Sequence, residues 1–408
     1  MHSLRLLDLY YPHSNTQGVN KVHLLPGFEF LPESLKYLRW DFYPLPSMPS
    51  RFSSENLVEL RMRKSRLVQL WNKNVQIDLG NLKHIDLEGS EHLAELPDLS
   101  GSPNLERIIL EGCSSLVQLP SSFQHHAKLK DLNLIRCSSL KILPQMPSNL
   151  VILQLETAIG EYLPSSIWSL EKLESLSITY CEKLIKNLPS NTCRLNSLRF
   201  LHIHSCLSLE TLSVELPAGL KHLDLSGCKN LGSLPVELPA GLAILRLTGC
   251  ESLGSLPVEL PAGLAILALS RCKNLGYLPV KLPAGLERLH LTGCESLRSL
   301  PVELPTGLKY LDFKGCKSLG SLPVMLPAGL RILNLTGCES LGSLPIKLPA
   351  ELKYLCLNGY KNLRSLLVEL PAWLENLDLS GCKNLGSLLV MLPAGNVLTL
   401  GQLVRVLG

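Results

Sequence analysis

The residues with the most obvious chemical reach are His202, His204 and Cys206, three metal-ligating side chains in one His-x-His-x-Cys string. A zinc site needs such ligands to converge on a tetrahedral point. Here the two histidines fall on exposed positions of a strand motif and the cysteine on a buried column, so they do not converge. Cys356 sits at an exposed strand position with Lys353 nearby, which invites comparison with an activated thiolate. An unperturbed surface cysteine is the better account of it. The sequence contains no G-x-x-x-x-G-K-[ST] phosphate loop, no H-E-x-x-H and no G-x-S-x-G, so no enzyme and no cofactor is expected. A basic cluster, Arg61, Arg63, Lys64 and Arg66, reads either as a docking site for a neighbouring domain or as a charged ladder answered by Asp86 and Glu88.

All of these residues sit on a repeating frame. Nine leucines, Leu198, Leu220, Leu242, Leu264, Leu286, Leu308, Leu330, Leu352 and Leu374, stand 22 residues apart. Each opens the pattern L-x-x-L-x-L-x-x-C-x-x-L, broken in its defining positions only at Ile203, Phe313 and Tyr360. A fixed period of this size with this pattern is the signature of a leucine-rich-repeat solenoid. The expected fold is α/β by convention: a curved right-handed superhelix with one long parallel sheet on its concave face. Such arrays offer extended binding surfaces.

The same template recurs earlier at Leu4, Leu35, Leu57, Leu82, Leu105, Leu129, Leu150 and Leu173 with looser spacing, making 17 coils. Residues 1–197 are divergent repeats, 198–395 near-identical 22-residue repeats, and 396–408 an apolar tail out of frame, all in one continuous solenoid domain. Leu163-Pro-Ser-Ser-Ile167-Trp-Ser-Leu170 is expected to close a short helical turn. After residue 214 each copy carries two prolines, as in Leu234-Pro235-Val-Glu-Leu238-Pro239. Proline lacks the amide donor and fixes φ, so that side should be extended rather than helical. Tyr360 stands where a small thiol belongs, Leu367 and Leu389 replace the recurrent proline, and Leu398, Leu400, Leu403 and Leu407 lie in the tail. Together they suggest a frame that decays toward an uncapped end.

Composition narrows the partners. The 39 basic and 35 acidic residues leave a net charge of +4, too even for a nucleic-acid surface. Aromatic content of 5% also argues against base-stacking platforms. No signal peptide or run of 18 apolar residues is evident, so no membrane is expected. Of 13 cysteines, eight (Cys206, Cys228, Cys250, Cys272, Cys294, Cys316, Cys338 and Cys382) recur at one repeat position. They read as a reduced, buried column and therefore as a cytoplasmic or nuclear chain. The residues that follow alternate in sign, Lys229, Glu251, Lys273, Glu295, Lys317, Glu339 and Lys361, so stacked neighbours attract.

Within L-x-x-L-x-L the second, third and fifth residues face outward. In the near-identical copies these positions vary while the frame does not. The fifth position runs Asp224, Arg246, Ala268, His290, Asp312, Asn334, Cys356, Asp378. Drift on exposed positions would produce variation too, but Ile, Tyr and Arg suit an interface. The expected partner-binding residues are Arg246, His290, Tyr310, Asp312, Arg331 and Tyr354.

A more specific signal lies in residues 31–71. Leu35-Lys-Tyr-Leu-Arg-Trp40-Asp-Phe-Tyr43-Pro-Leu45-Pro, followed by Glu55-Asn-Leu-Val-Glu-Leu60-Arg-Met62-Arg-Lys-Ser65-Arg-Leu-Val-Gln-Leu70-Trp71, resembles the start of the repeat domain in plant TIR–NB–LRR disease-resistance proteins. The likeness continues through Leu110-Glu-Gly-Cys113-Ser-Ser-Leu116 and Thr157-Ala-Ile159, and covers roughly residues 1–215. It implies an intracellular immune receptor whose repeats sense a pathogen effector, directly or through a guarded host protein, and help hold a nucleotide switch inactive. The TIR and nucleotide-binding domains are not expected in this chain, so only recognition carries over. Those domains, of the same or a partner receptor, become further partners. The second half is also similar to bacterial secreted effectors with L-P-x-x-L-P repeats, which carry Asn where this chain has Cys. A non-immune scaffold is the third class.

Overall fold

The computed structural model describes residues 4–10, 28–71, 78–156, 163–180, 188–342, 344–345, 347–361, 368–382 and 390–391. The chain divides into two compact units, Met1–Ile185 with Arg194–Phe200, and Lys186–Cys193 with Leu201–Gly408.

The first unit carries strands β1 (Leu6–Leu9), β2 (Tyr37–Trp40), β3 (Glu59–Arg61), β4 (His84–Asp86), β5 (Arg107–Ile109), β6 (Asp131–Leu134), β7 (Ile152–Glu156) and β8 (Ser175–Thr179). They pair in parallel and in chain order, so equivalent leucines stack: Leu38 on Leu60, Leu60 on Ile85, Ile85 on Ile108. Every leucine that opens a repeat precedes its strand by two residues. 3₁₀ turns close two of these coils, at Ser121–His125 and at the expected Ser165–Ser169, each after a proline with φ near −57° or −55°. Phe123 and Ile167 plug them from outside, both fully buried.

The second unit carries β9 (Phe200–His204), β10 (His222–Asp224), β11 (Ile244–Arg246), β12 (Ile266–Ala268), β13 (Arg288–His290), β14 (Tyr310–Asp312), β15 (Ile332–Asn334), β16 (Tyr354–Cys356), β17 (Val368–Glu369), β18 (Asn376–Asp378) and β19 (Val390–Met391). β10 to β16 and then β18 form successive parallel pairs, in register throughout. β17 and β19 make a separate short pair. Among the described residues no α-helix forms, and none of the 3₁₀ turns falls after residue 214. Instead the carbonyl of the second proline of each repeat accepts the amide of the next opening leucine, as from Leu242 to Pro239 at 2.9 Å and Leu264 to Pro261 at 3.0 Å. Proline spends no donor there, and the chain turns within three residues.

The column of cysteines is buried, as its spacing implies. The structure adds the reason for a thiol. Cys250 Sγ donates to the Leu225 carbonyl at 3.2 Å, Cys272 to Leu247 at 3.1 Å, and Cys294 to Leu269 at 3.0 Å. Cys316, Cys338 and Cys382 each donate in the same way into the coil before, and Cys113 and Cys137 do the same in the first unit. Leu225 O already accepts the Cys228 amide at 3.2 Å, so the thiol takes up its second lone pair. Cysteine is small enough for the coil interior and still offers a weak donor. Tyr360 was expected as a defect in this column. Its ring is instead fully buried, and its hydroxyl donates to Gly342 O at 2.8 Å.

The residue before the column position has a left-handed backbone, φ 78° at Gly249 and 73° at Gly293. Arg271 holds the same place with φ 62°. Four of the expected interlocking charge pairs form: Lys229–Glu251 at 3.8 Å, Lys273–Glu251 at 2.7 Å, Lys317–Glu295 at 3.7 Å and Lys361–Glu339 at 2.7 Å. The tail 396–408 with its four leucines, together with Leu367, Leu389 and the Thr157-Ala-Ile159 string, lies outside the described residues.

Two outcomes are expected. Burial pushes the Cys294 and Cys338 thiols up to about 12, which suppresses the reactive thiolate. Alkylation of native protein followed by mass spectrometry should therefore mark Cys193 and Cys356, the two half-buried thiols among the described cysteines, well before Cys250 or Cys294. Replacing Arg271 with Gly should raise stability by about 1 kcal/mol in urea unfolding, because the left-handed conformation disfavours any side chain with a Cβ. A neutral or destabilising result would mean that the turn is relaxed as it stands.

Candidate functional site

The open face of the second unit's sheet is ruled by two rows of side chains. Strand register puts Asp224, Arg246, Ala268, His290, Asp312, Asn334, Cys356 and Asp378 side by side in one row. His222, Ile244, Ile266, Arg288, Tyr310, Ile332, Tyr354 and Asn376 form the other.

The first row does two different jobs. Oδ1 of Asp224, Asp312, Asn334 and Asp378 accepts the backbone amide two residues on, at 3.0, 2.9, 3.1 and 2.9 Å. Asn133 and Asp86 in the first unit do the same at 3.0 and 3.3 Å. These are Asx turns that close the strand end. Asp312 is accordingly only 9% exposed, which corrects the expectation that it stands free on the surface. Its Oδ2 also accepts the Tyr310 hydroxyl at 3.2 Å. For Asp224, burial raises the carboxyl, but hydrogen bonds from His204 and Ser226 and the His204 charge outweigh it and hold the group at about 2. Where the row carries no Asx residue, at Arg246, Ala268, His290 and Cys356, the side chain is released from the turn.

The other expected residues lie on this face with various degrees of freedom. Arg246 is exposed, 3.7 Å from Asp224 Oδ2. His290 and Tyr310 stack with ring centroids 4.6 Å apart, and burial pushes the His290 imidazole below its ordinary pKa, toward the neutral form. Tyr354 is 40% exposed and donates to Glu375 Oε2 at 2.9 Å, while Lys353 Nζ donates to Oε1 at 2.7 Å. Arg331 stands 3.7 Å from Glu351.

A residue that the sequence reading passed over completes this end. Trp373 is 74% exposed and borders a groove with Arg331, Glu351, Lys353 and Glu375. Its signal was available: it takes the place that Gly241, Gly263, Gly285, Gly307 and Gly329 hold in earlier copies. Trp, Tyr and Arg are the side chains that dominate binding energy at protein interfaces.

The chemical candidates separate as their positions suggest. His202 and His204 are half-buried on the sheet face with rings 5.9 Å apart, and His204 Nε2 lies 3.4 Å from Asp224 Oδ2. Cys206 is fully buried in the column. Burial raises the Cys356 thiol, the opposite of activation. The basic cluster is a ladder, though not as drawn from sequence. Arg63 pairs forward with Asp86 at 2.7 Å and Glu88 at 3.2 Å, whereas Arg61 pairs back with Asp41 at 3.3 Å and Lys64 lies over the Phe42 ring.

Comparison with known proteins agrees with the fold. Residues 219–240 match the Leucine Rich Repeat family model. The chain is 35% identical over 246 residues to disease resistance protein RPS6 of Arabidopsis thaliana, covering 55% of this chain and 21% of that protein. It is 38% identical over 199 residues to disease resistance protein RPP4 of the same plant, covering 48% of this chain and 15% of that protein. The chain thus spans about a fifth or less of the curated relatives it matches. Among solved structures, the leucine-rich effector protein YopM from Yersinia pestis superposes with a TM-score of 0.50 at 23% identity, covering 85% of each chain. That likeness is one of fold alone.

The division of the first row is testable by stability. Asp312→Ala removes the acceptor of the Lys314 amide and should cost about 1–2 kcal/mol in chemical unfolding. Asp312→Asn keeps an Oδ1, as Asn334 does at the same place, and should cost much less. Arg246→Ala and Arg331→Ala should stay within about 0.5 kcal/mol of the parent. If Asp312→Ala proved as mild as the arginine changes, the Asx role would be wrong.

Proposed function

We propose that this leucine-rich-repeat chain, kin to plant disease resistance proteins over about half its length, is a protein-recognition module of plant innate immunity. Its ligand is a pathogen effector or a guarded host protein, docked on the open sheet face of the second unit. The observation that carries the reading is the contrast on that face. Frame and Asx positions are spent on structure, while Arg246, His290, Tyr310, Arg331, Tyr354 and Trp373 diverge within repeats that are otherwise nearly identical. Neutral drift would not place Trp373 and Arg331 around one groove.

In this proposal the divergent repeats of residues 1–197 serve as the family-like base of the array and the near-identical repeats of 198–395 as its recognition part. Contacts with TIR and nucleotide-binding domains, of the same or a partner receptor, would hold such a receptor inactive until the ligand arrives. A cytoplasmic or nuclear setting suits the column of thiols, which stays reduced there. No helix among the described residues is long and apolar enough to cross a membrane.

The test is ligand capture by crosslinking in plant extract, then titration of the purified ligand against variants. Arg331→Ala, Tyr354→Ala and Trp373→Ala should each weaken binding about tenfold or more, as anchors of a buried hot spot do. Glu259→Ala, away from the sheet, should leave it unchanged. The reverse pattern would remove the open face as the recognition surface.

A further inference from the structure

One strand of the second unit's sheet differs from its neighbours on the open face. At the second, third and fifth positions of its motif, β12 presents Ala265, Ile266 and Ala268, none of them charged or able to hydrogen-bond through its side chain. Every other strand that stacks from β10 to β18 carries at least one charged side chain at these positions. Register sets Ala268 beside Arg246 and His290, and Ile266 beside Ile244 and Arg288. The short side chains of β12 therefore floor an apolar notch, walled by Arg246 on one side and by Arg288 and His290 on the other. Both arginines are exposed. They stand two coils apart, roughly 10 Å along the sheet. Burial pushes the His290 imidazole toward its neutral form, and the charges of Arg288 and Arg246 act in the same direction against Asp312.

The acids that could answer these arginines are already engaged. At the outward positions of β11 to β13 the one carboxylate is Glu287, and its Oε1 accepts from Lys309 Nζ at 3.0 Å. On β10, Asp224 accepts from Ser226 and lies 3.4 Å from His204 Nε2. Its 3.7 Å distance to Arg246 is too long for a hydrogen bond. On β14, Asp312 is taken up by the Lys314 amide and the Tyr310 hydroxyl. Arg246 thus shares a carboxylate with His204, and Arg288 forms no ion pair among the described residues.

We propose, on the reading of this sheet face as the recognition surface, that the notch is the subsite for an acidic and aliphatic segment of the protein ligand. An aliphatic side chain rests on Ile266 and Ala268, and carboxylates on either side of it pair with Arg246 and Arg288. The planar guanidinium fork matches a carboxylate bidentately, which an ammonium does not. A polyphosphate chain would satisfy the arginines as well, but it would leave the Ile244 and Ile266 side chains in water. Covering them is favourable, and an aliphatic peptide side chain does so. The floor therefore selects a peptide over a nucleic acid.

Two measurements on the full 408-residue chain test this. The first needs no ligand. Ala268→Glu places the chain's own carboxylate between the arginines, and relative to Ala268→Gln it should raise the melting temperature by about 1–3 °C, while Ala268→Lys should lower it by a similar amount. Equal melting of the Glu and Lys variants would overturn the proposal. The second is fluorescence anisotropy with a labelled peptide in which glutamates flank leucines. It should bind about tenfold or more tightly than counterparts with glutamine for glutamate or serine for leucine, and than a single-stranded oligonucleotide. Arg246→Ala and Arg288→Ala should each weaken the glutamate–leucine peptide about tenfold, and Ala268→Glu should abolish its binding. Glu259→Ala, away from the sheet, should leave it unchanged. A counterpart or oligonucleotide that binds as tightly, or arginine variants without effect, would overturn the proposal. If a ligand captured from plant extract responds to Trp373→Ala but to neither arginine variant, the recognition face stands and this subsite falls.

Discussion

No coil of this chain can bury its own leucines. A repeat of 22 residues has an inside only because another repeat lies above and below it, and that mutual dependence sets nearly everything else. Leu242, Leu245 and Leu247 reach zero exposure because the equivalents one coil away, Leu264, Leu267 and Leu269, press on them. Each fully buried leucine is worth about 1.5–3 kcal/mol relative to an exposed one. The gain is collected at the boundary between coils, so whatever keeps neighbours in register keeps the fold.

Three devices keep that register, and each answers a backbone need. Strand pairing satisfies the amides and carbonyls of the L-x-x-L-x-L segment. Beyond the strand the chain must turn, and the Asx residues at its end accept the amide two positions on. Past the turn, the column thiol donates into the coil before it, so that successive coils are linked by S–H···O contacts as well as by packing. Where the thiol is missing, the Tyr360 hydroxyl finds Gly342 O by a longer reach. An unpaired buried polar group costs more than a hydrogen bond yields, so these links act mainly by preventing loss.

The same devices decide which surface is free to evolve. A position that closes a turn, such as Asp312, resists change even though it faces the solvent side of the sheet. Its neighbour Arg331 has no such duty. On the proline-rich side the residue after the first proline is left almost wholly exposed, as Val280 is at 91%, whereas the leucine before the second is buried, as Leu282 is at 5%. A solenoid thus offers two faces with different structural duties.

The period, the seventeen strand positions, the buried thiol column, the turn at Ser165–Ser169 and, among the described residues, the lack of helix after residue 214 were all legible in the sequence. They depend on spacing along the chain, and a stacked repeat converts spacing directly into position. The burial of Asp312, the backward pairing of Arg61, the accommodation of Tyr360 and the exposure of Trp373 were not. Each depends on the distance a side chain spans to a neighbouring coil or turn, and residue order alone does not encode that distance. The proline-rich segments show the difference most plainly. Leu278 and Val280 are two apolar residues in one repeat segment, yet the first is only 8% exposed and the second 91%. The prolines between and around them fix φ and forbid a helix, but only the path of the packed coil decides which of the two faces water.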